Sequence, residues 1–221
     1  MRLPHLPFVK VCCISSIGEA QLAVASGASA LGLVSEMPSG PGVIPDELIA
    51  EIAAQVPPPI ATFLLTCRQD AEEIIAQHGL CRTSTIQLVD YVPHAQLAKL
   101  RAGLPGVKLV QVIHVADQDS VEEAKASAPW VDALLLDSGN QKLPVKELGG
   151  TGRTHDWSLS RAIREAVDRP VFLAGGLNRG NVADAVAAVH PFGIDLCSGV
   201  RINGALDAGK LTGFFKALSV A

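Results

Sequence analysis

Eight times along this chain, a short β-branched or aliphatic run is followed by a polar or glycine-containing break and then an alanine-rich amphipathic stretch. The runs read as strands are residues 8–13, 30–34, 60–66, 85–88, 109–115, 133–137, 171–174 and 193–198. The helical patterns are 18–26, 45–55, 70–77, 94–101, 121–127, 158–167, 181–189 and 207–219. Strict alternation of β and α predicts a parallel sheet with helices outside. Eight units in 221 residues fit a closed (β/α)8 TIM barrel, expected as one domain over residues 1–221. An open doubly wound sheet usually carries a glycine-rich turn after its first strand. Here the first strand runs into Cys12-Cys13-Ile14-Ser15, with no GxGxxG.

Local signals support these boundaries. Ser16 and Glu19 form a capping-box pattern opening the first helix. Pro45 sits where a first helical position tolerates a missing N–H. Gly27 and Gly103 fall where helix C-caps belong.

Composition narrows the class of protein. Apolar residues make up 48% of the chain and charged residues 18%, enough to bury a large core. A net charge of −4 and the lack of a basic cluster argue against a nucleic-acid partner. Pro4 and Pro7 interrupt the start, so it does not read as a signal peptide. No apolar run approaches the ~20 residues needed to span a bilayer, so no membrane partner is expected and the location is read as cytoplasmic. The five cysteines, Cys12, Cys13, Cys67, Cys81 and Cys197, show no CxxC and no histidine at ligand spacing. They read as reduced thiols, with no metal site.

In a barrel, chemistry gathers at the C-terminal ends of the strands. Period-two alternation at Lys10-Val11-Cys12 turns Lys10 and Cys12 inward if Val11 faces the helices. Cys12 is then either a buried inert thiol or a thiolate base or nucleophile. Asp137 follows three leucines, an expensive place for a carboxylate unless it is paired or at work. Structural capping and general acid–base chemistry are both open to it. Gly149, Gly150 and Gly152 permit close backbone approach to a ligand, and Asp156 can cap the sixth helix. Gly175-Gly176 and Ser198-Gly199 end strands 7 and 8, where barrels commonly hold a phosphate. Lys10 and Asp195, on neighbouring strands of a closed barrel, are expected to pair if buried.

Together these segments resemble the phosphoribosylanthranilate isomerase family. The resemblance rests on Lys10-Val11-Cys12, Ile86-Gln87-Leu88, Leu135-Leu136-Asp137, Gly149 to Gly152 and Asp156-Trp157. It rests further on Ala174 to Asn178 and on Ile194 to Val200, and the order runs through nearly the whole chain. It implies a cofactor-free Amadori rearrangement in tryptophan biosynthesis, with Asp137 as general acid and Cys12 as general base. It implies a phosphosugar partner held at Gly175, Gly176, Ser198 and Gly199, with Lys10, Gln87, Gly42, Gly150 and Asp195 around the rest of the pocket. Oligomeric state is left between monomer and homodimer.

The sequence departs from that pattern at named places. Gly42 stands where the family places an arginine for the aromatic carboxylate, Val89-Asp90 where it has His-Gly, Cys13 where it has glycine and Arg201 where it has glutamate. Glycine cannot make a charge-assisted bond to a carboxylate. Arg82 and Arg153 are the candidates to supply the lost charge. Three readings follow: an isomerase of the family's own substrate, the same chemistry on another phosphosugar, or a non-catalytic phosphosugar binder. Retention of Cys12 and Asp137 favours the enzymes.

Overall fold

The computed structural model describes residues 6–139, 144–148 and 152–219. Among them, β1 (Phe8–Val11), β2 (Ala30–Val34), β3 (Ala61–Thr66), β4 (Thr85–Leu88), β5 (Lys108–His114), β6 (Ala133–Asp137), β7 (Val171–Leu173) and β8 (Gly193–Leu196) pair in chain order. All are parallel, and β8 returns to β1 to close the barrel. The helices are α1 (Ile17–Ala25), α2 (Asp46–Gln55), α3 (Ala71–Cys81), α4 (His94–Gly103), α5 (Asp119–Ser127), α6 (Trp157–Ala166), α7 (Val182–Val189) and α8 (Ala208–Leu218). The fold is therefore a (β/α)8 TIM barrel. No helix among the described residues is long and apolar enough to cross a membrane.

The period of two along each strand sorts the core into two shells. Val9, Val11, Leu31, Leu33, Leu134, Leu136, Ile194 and Leu196 pack outward against buried helix residues such as Ile49, Ile163 and Phe214. Ala30, Val34, Phe63, Leu65, Val110, Val112, Ala133, Leu135 and Phe172 fill the barrel interior. The interior is a packed core with an edge-on Phe63–Phe172 ring contact at 6.0 Å. The same phase decides where the polar residues go. Lys10 and Cys12 lie inward because Val9 and Val11 lie outward, and Asp137 lies inward because Leu136 does not.

Among the described residues, four of the eight helix starts carry a side-chain cap. The Ser16 hydroxyl accepts from Glu19 N at 3.2 Å. The reciprocal arm of the capping box goes to Ser15 N, not to Ser16, at 3.0 Å. Asp70, Asp156 and Asp207 accept from backbone N–H groups in the first turns of α3, α6 and α8. Gly27 follows α1 with φ +106, as a C-cap glycine does. Gly103 does not cap. A Cβ there would lie 2.6 Å from Ile75 Cδ1, so its role is close packing of α4 on α3. Helix α3 also runs past Gln77 to Cys81, because Gly79 sits in open space and the turn comes only at Arg82, with φ 52.

A hairpin near the C-terminus was not anticipated. After β8, β9 (Arg201–Ile202) and β10 (Ala205–Leu206) form a small antiparallel hairpin. Its turn is Asn203-Gly204, with φ 49 and φ 82, the two left-handed residues that a type I′ turn demands.

Candidate active site

The C-terminal ends of the strands surround a cleft open to solvent. Cys12 after β1, Gln87 of β4, Asp137 of β6, Gly175 and Gly176 after β7, and Asp195 and Ser198 at β8 all line it. Gly152 reaches the same wall, and a Cβ there would touch the Ser198 hydroxyl at 3.4 Å. The other half of the cleft is apolar, made by Val34, Met37, Leu65, Val89 and Leu148.

Lys10 is fully buried beneath this cleft, with Nζ 2.8 Å from Asp195 Oδ2 and 5.4 Å from the centre of the Phe63 ring. Strand register sets the pair, since Lys10 and Asp195 are direct partners across β1 and β8. Burial works against the Lys10 charge, but Asp195, with the Cys12 and Cys13 thiols, outweighs it and holds Lys10 above its ordinary value. At Asp195 burial prevails over the pull of Lys10, and Asp137 adds to it, so this carboxyl titrates above the usual range. Asp195 Oδ1 and Gln87 Oε1 are buried with no partner among the described residues. Both belong to residues lining the cleft, where they offer acceptors to hydroxyl or N–H groups of a ligand.

Asp137 accepts a hydrogen bond from Ser138 N at 2.7 Å through Oδ1. Cys12 owes its room to Gly32 on β2. A Cβ there would lie 2.7 Å from Cys12 Sγ and 3.0 Å from Lys10 Nζ. A glycine inside a strand otherwise reading Ala-Leu-Gly-Leu-Val was the signal for such a close approach, and it was missed.

The glycine-rich wall is tightly built. Gly175 and Gly176 have φ +85 and +62, and a Cβ on Gly176 would meet the backbone of residues 152–154 at 2.8–2.9 Å. Gly199 stands one residue behind the cleft surface, where a Cβ would collide with the Leu177 carbonyl. His155, not singled out from the sequence, lies against this wall. Its Nε2 pairs with Ser160 Oγ at 2.7 Å, and a Cβ on Gly175 would lie 3.0 Å from its Nδ1. Burial lowers its pKa, while the carboxylates of Asp137 and Asp156 pull the other way. Gly150 lies outside the described residues.

Three departures noted in the sequence form one connected group. Cys13 holds φ 62, the left-handed region where glycine is at home. Gly42, with φ +80, packs directly on it, and a Cβ at 42 would lie 2.5 Å from Cys13 Cβ. Buried Arg201 donates to the carbonyls of Cys12 and Cys13 and pairs with Glu19 Oε1 at 2.8 Å. A second group ties the rim together. The Ser39 hydroxyl donates to the Lys146 carbonyl at 2.6 Å, and the Lys146 ammonium is paired with buried Asp90. Neither arginine considered from the sequence lines the cleft. Arg82 ends α3 at the opposite end of the barrel, and Arg153 is paired with Glu147.

The family profile described as N-(5'phosphoribosyl)anthranilate (PRA) isomerase matches residues 9–217. An N-(5'-phosphoribosyl)anthranilate isomerase of Methanocella arvoryzae is 33% identical over 193 residues, covering 87% of this chain and 88% of its own. The Haloferax volcanii protein of the same name is 35% identical, covering 96% and 93%. The crystal structure of phosphoribosyl anthranilate isomerase from Thermotoga maritima superposes with a TM-score of 0.83 at 27% identity, covering 97% of this chain and all of that one. A crystal structure of such an isomerase in complex with reduced 1-(o-carboxyphenylamino)-1-deoxyribulose 5-phosphate superposes with a TM-score of 0.80 at 26% identity, covering 97% and 100%. The profile match and the relatives above 30% identity agree: this chain belongs to the N-(5'-phosphoribosyl)anthranilate isomerase family.

Proposed function

We propose that the protein is an acid–base isomerase carrying out an Amadori rearrangement on an N-(5-phosphoribosyl) arylamine, the anthranilate compound first among them. One observation carries the reading: a single cleft brings together a thiol, a carboxylic acid and a glycine-rich wall from four different strand ends. Asp137 protonates the ring oxygen and opens the sugar ring. Cys12 as thiolate then removes the proton from C2, and the enolamine becomes the ketone. Gly175, Gly176, Ser198 and Gly199 hold the phosphate against backbone. The buried Lys10–Asp195 pair forms the floor, with Asp195 Oδ1 and Gln87 Oε1 turned to the sugar hydroxyls and amine. The chemistry is proton transfer within one molecule and calls for no redox partner.

The test is turnover of phosphoribosylanthranilate by the wild type, Cys12→Ala and Asp137→Asn. Each variant is expected to lose about 10²–10⁴-fold. A silent wild type that still binds inorganic phosphate sinks the anthranilate assignment. It leaves the same chemistry on a different phosphosugar, which the contact between Gly42 and Cys13 supports by leaving no side chain at position 42, or a non-catalytic phosphosugar binder. We further propose a cytoplasmic enzyme whose residues 1–221 act as one domain, as monomer or homodimer.

A further inference from the structure

Three of the five cysteines of this chain meet at the mouth of the barrel, and the proposed reaction uses one of them. Cys13 and Cys197 take no part in it. They follow β1 and β8, strands already tied at that level by the Cys12 N to Leu196 O hydrogen bond of 2.7 Å. Their sulfurs lie 2.8 Å apart and share a hydrogen bond. A disulfide bond is about 2.05 Å long, so joining them calls for a closure of under about 1 Å. Both thiols are free.

The surroundings suit oxidation. Besides the main cleft, both cysteines line a second solvent-open cavity beside it, with Ser15, Gly42, Arg201 and Gly204; Pro41 and Ser198 are common to the two. A small oxidant can reach them from either opening. The two sulfurs are also unequal. The hydrogen bond with Cys13 holds the Cys197 thiol below its ordinary value; burial opposes this and the Arg201 charge assists it. Hydrogen bonds with Cys12 and Cys197, with burial, push the Cys13 thiol up. Elsewhere, burial raises Cys67, and it raises Cys81 to about 12. The attacking group in thiol oxidation is the thiolate, so Cys197 is the better nucleophile of these four.

We propose that Cys13 and Cys197 form a reversible redox site that takes hydrogen peroxide and closes as a disulfide across the ends of β1 and β8. The Cys197 thiolate attacks one peroxide oxygen, the O–O bond breaks, and hydroxide leaves and takes up the proton that Cys197 had released. The Cys13 sulfur then displaces hydroxide from the Cys197 sulfenic acid, its own proton going with it as water. Both sulfurs are oxidised, one peroxide is reduced to two waters, and a thiol reductant reverses the change. The new bond ties the residue after Cys12 to the residue before Ser198, so the oxidised protein is the less active one.

The experiment treats the whole chain with a few equivalents of hydrogen peroxide, blocks remaining thiols with N-ethylmaleimide, and digests with trypsin without reductant. The expected product links peptide 11–68 to peptide 180–201, with fragment ions placing the bond at Cys13 and Cys197, and dithiothreitol releases it. Cys67→Ala keeps the link and Cys197→Ala loses it. Recovery of Cys13 and Cys197 as maleimide adducts, conversion of either to sulfinic acid without a link, or a link through Cys12 each overturns the proposal. Turnover is expected to fall with the cross-linked fraction and to return with dithiothreitol. Full turnover in the cross-linked protein overturns the regulatory half. Peptide mapping needs no substrate, so the disulfide stands or falls independently of the proposed reaction.

Discussion

Gly42 rests on Cys13: a Cβ at position 42 would lie 2.5 Å from Cys13 Cβ and 2.8 Å from its Cα. Residue 42 is also left-handed, at φ +80. Glycine is thus required there for two reasons, strain and space. Gly42→Ala is expected to destabilise the protein by about 1–3 kcal/mol, measured by urea denaturation. The double change Cys13→Gly with Gly42→Ala should lose less than the sum of the two single changes. Strict additivity would show that the two residues do not press on each other.

The Lys10–Asp195 pair should be far more costly to break than to replace. Asp195→Asn leaves a buried ammonium without its counter-ion, and a loss of about 3–5 kcal/mol is expected. Lys10→Met combined with Asp195→Leu should lose less than Asp195→Asn alone. Equal losses, read from denaturation midpoints, would contradict a buried ion pair.

Gly32→Ala tests the room made for Cys12. The added methyl meets Cys12 Sγ at 2.7 Å and must displace it. Misplacing a reacting group by about 1 Å can cost on the order of 10²-fold in rate. Turnover should fall by that order while the far-UV spectrum stays that of the wild type; unchanged turnover would remove Cys12 from the proposed chemistry.

Glu19 links acid stability to Arg201. Burial pushes its carboxyl up, but hydrogen bonds from Arg201, Leu206 N and Ser15 N prevail, and its pKa is lowered from 4.5. A carboxylate lowered on folding contributes stability that is present above the unfolded value and lost as pH falls through the folded one. The wild type should therefore lose stability below about pH 4.5 more steeply than Glu19→Gln. Parallel pH curves for the two would rule this out.

His155 should titrate below its ordinary 6.5, because burial favours the neutral ring. The stability tied to that neutral ring is present above 6.5 and declines as pH falls through the lower folded value. Asp137 pulls the ring the other way, so Asp137→Asn should lower the His155 pKa further. A proton NMR titration of the ring signals reads both. An upward shift in Asp137→Asn would separate the two groups.

The barrel was legible because alternation of strand and helix is local, and so was the inward phase of Lys10 and Cys12. The Lys10–Asp195 pair was legible too, since closure makes β1 and β8 neighbours. Contacts made by loops were not. Ser39 and Lys146 are 107 residues apart in the chain and meet only once the barrel is closed. Gly103 looked like a cap because a glycine at a helix end usually is one; only the packing of Ile75 gives its reason. The Asn203-Gly204 turn carried a strong local signal, yet its function, presenting Arg201 to Glu19 and to the first loop, depends on residues more than 180 positions away.

The contact between Gly42 and Cys13 also has a historical side. Loss of the Cys13 side chain removes the shortest contact a side chain at position 42 would meet, while the 2.8 Å approach to the Cys13 Cα and the positive φ remain, so two such changes are easier in that order. The reverse path passes through a weakened protein. Arg201, anchored on the Cys13 carbonyl and on Glu19, ties a third codon to the same sequence of events. Laboratory selection for a new side chain at 42 should accordingly recover changes at residue 13 first, and libraries that vary position 42 alone will search an empty corner.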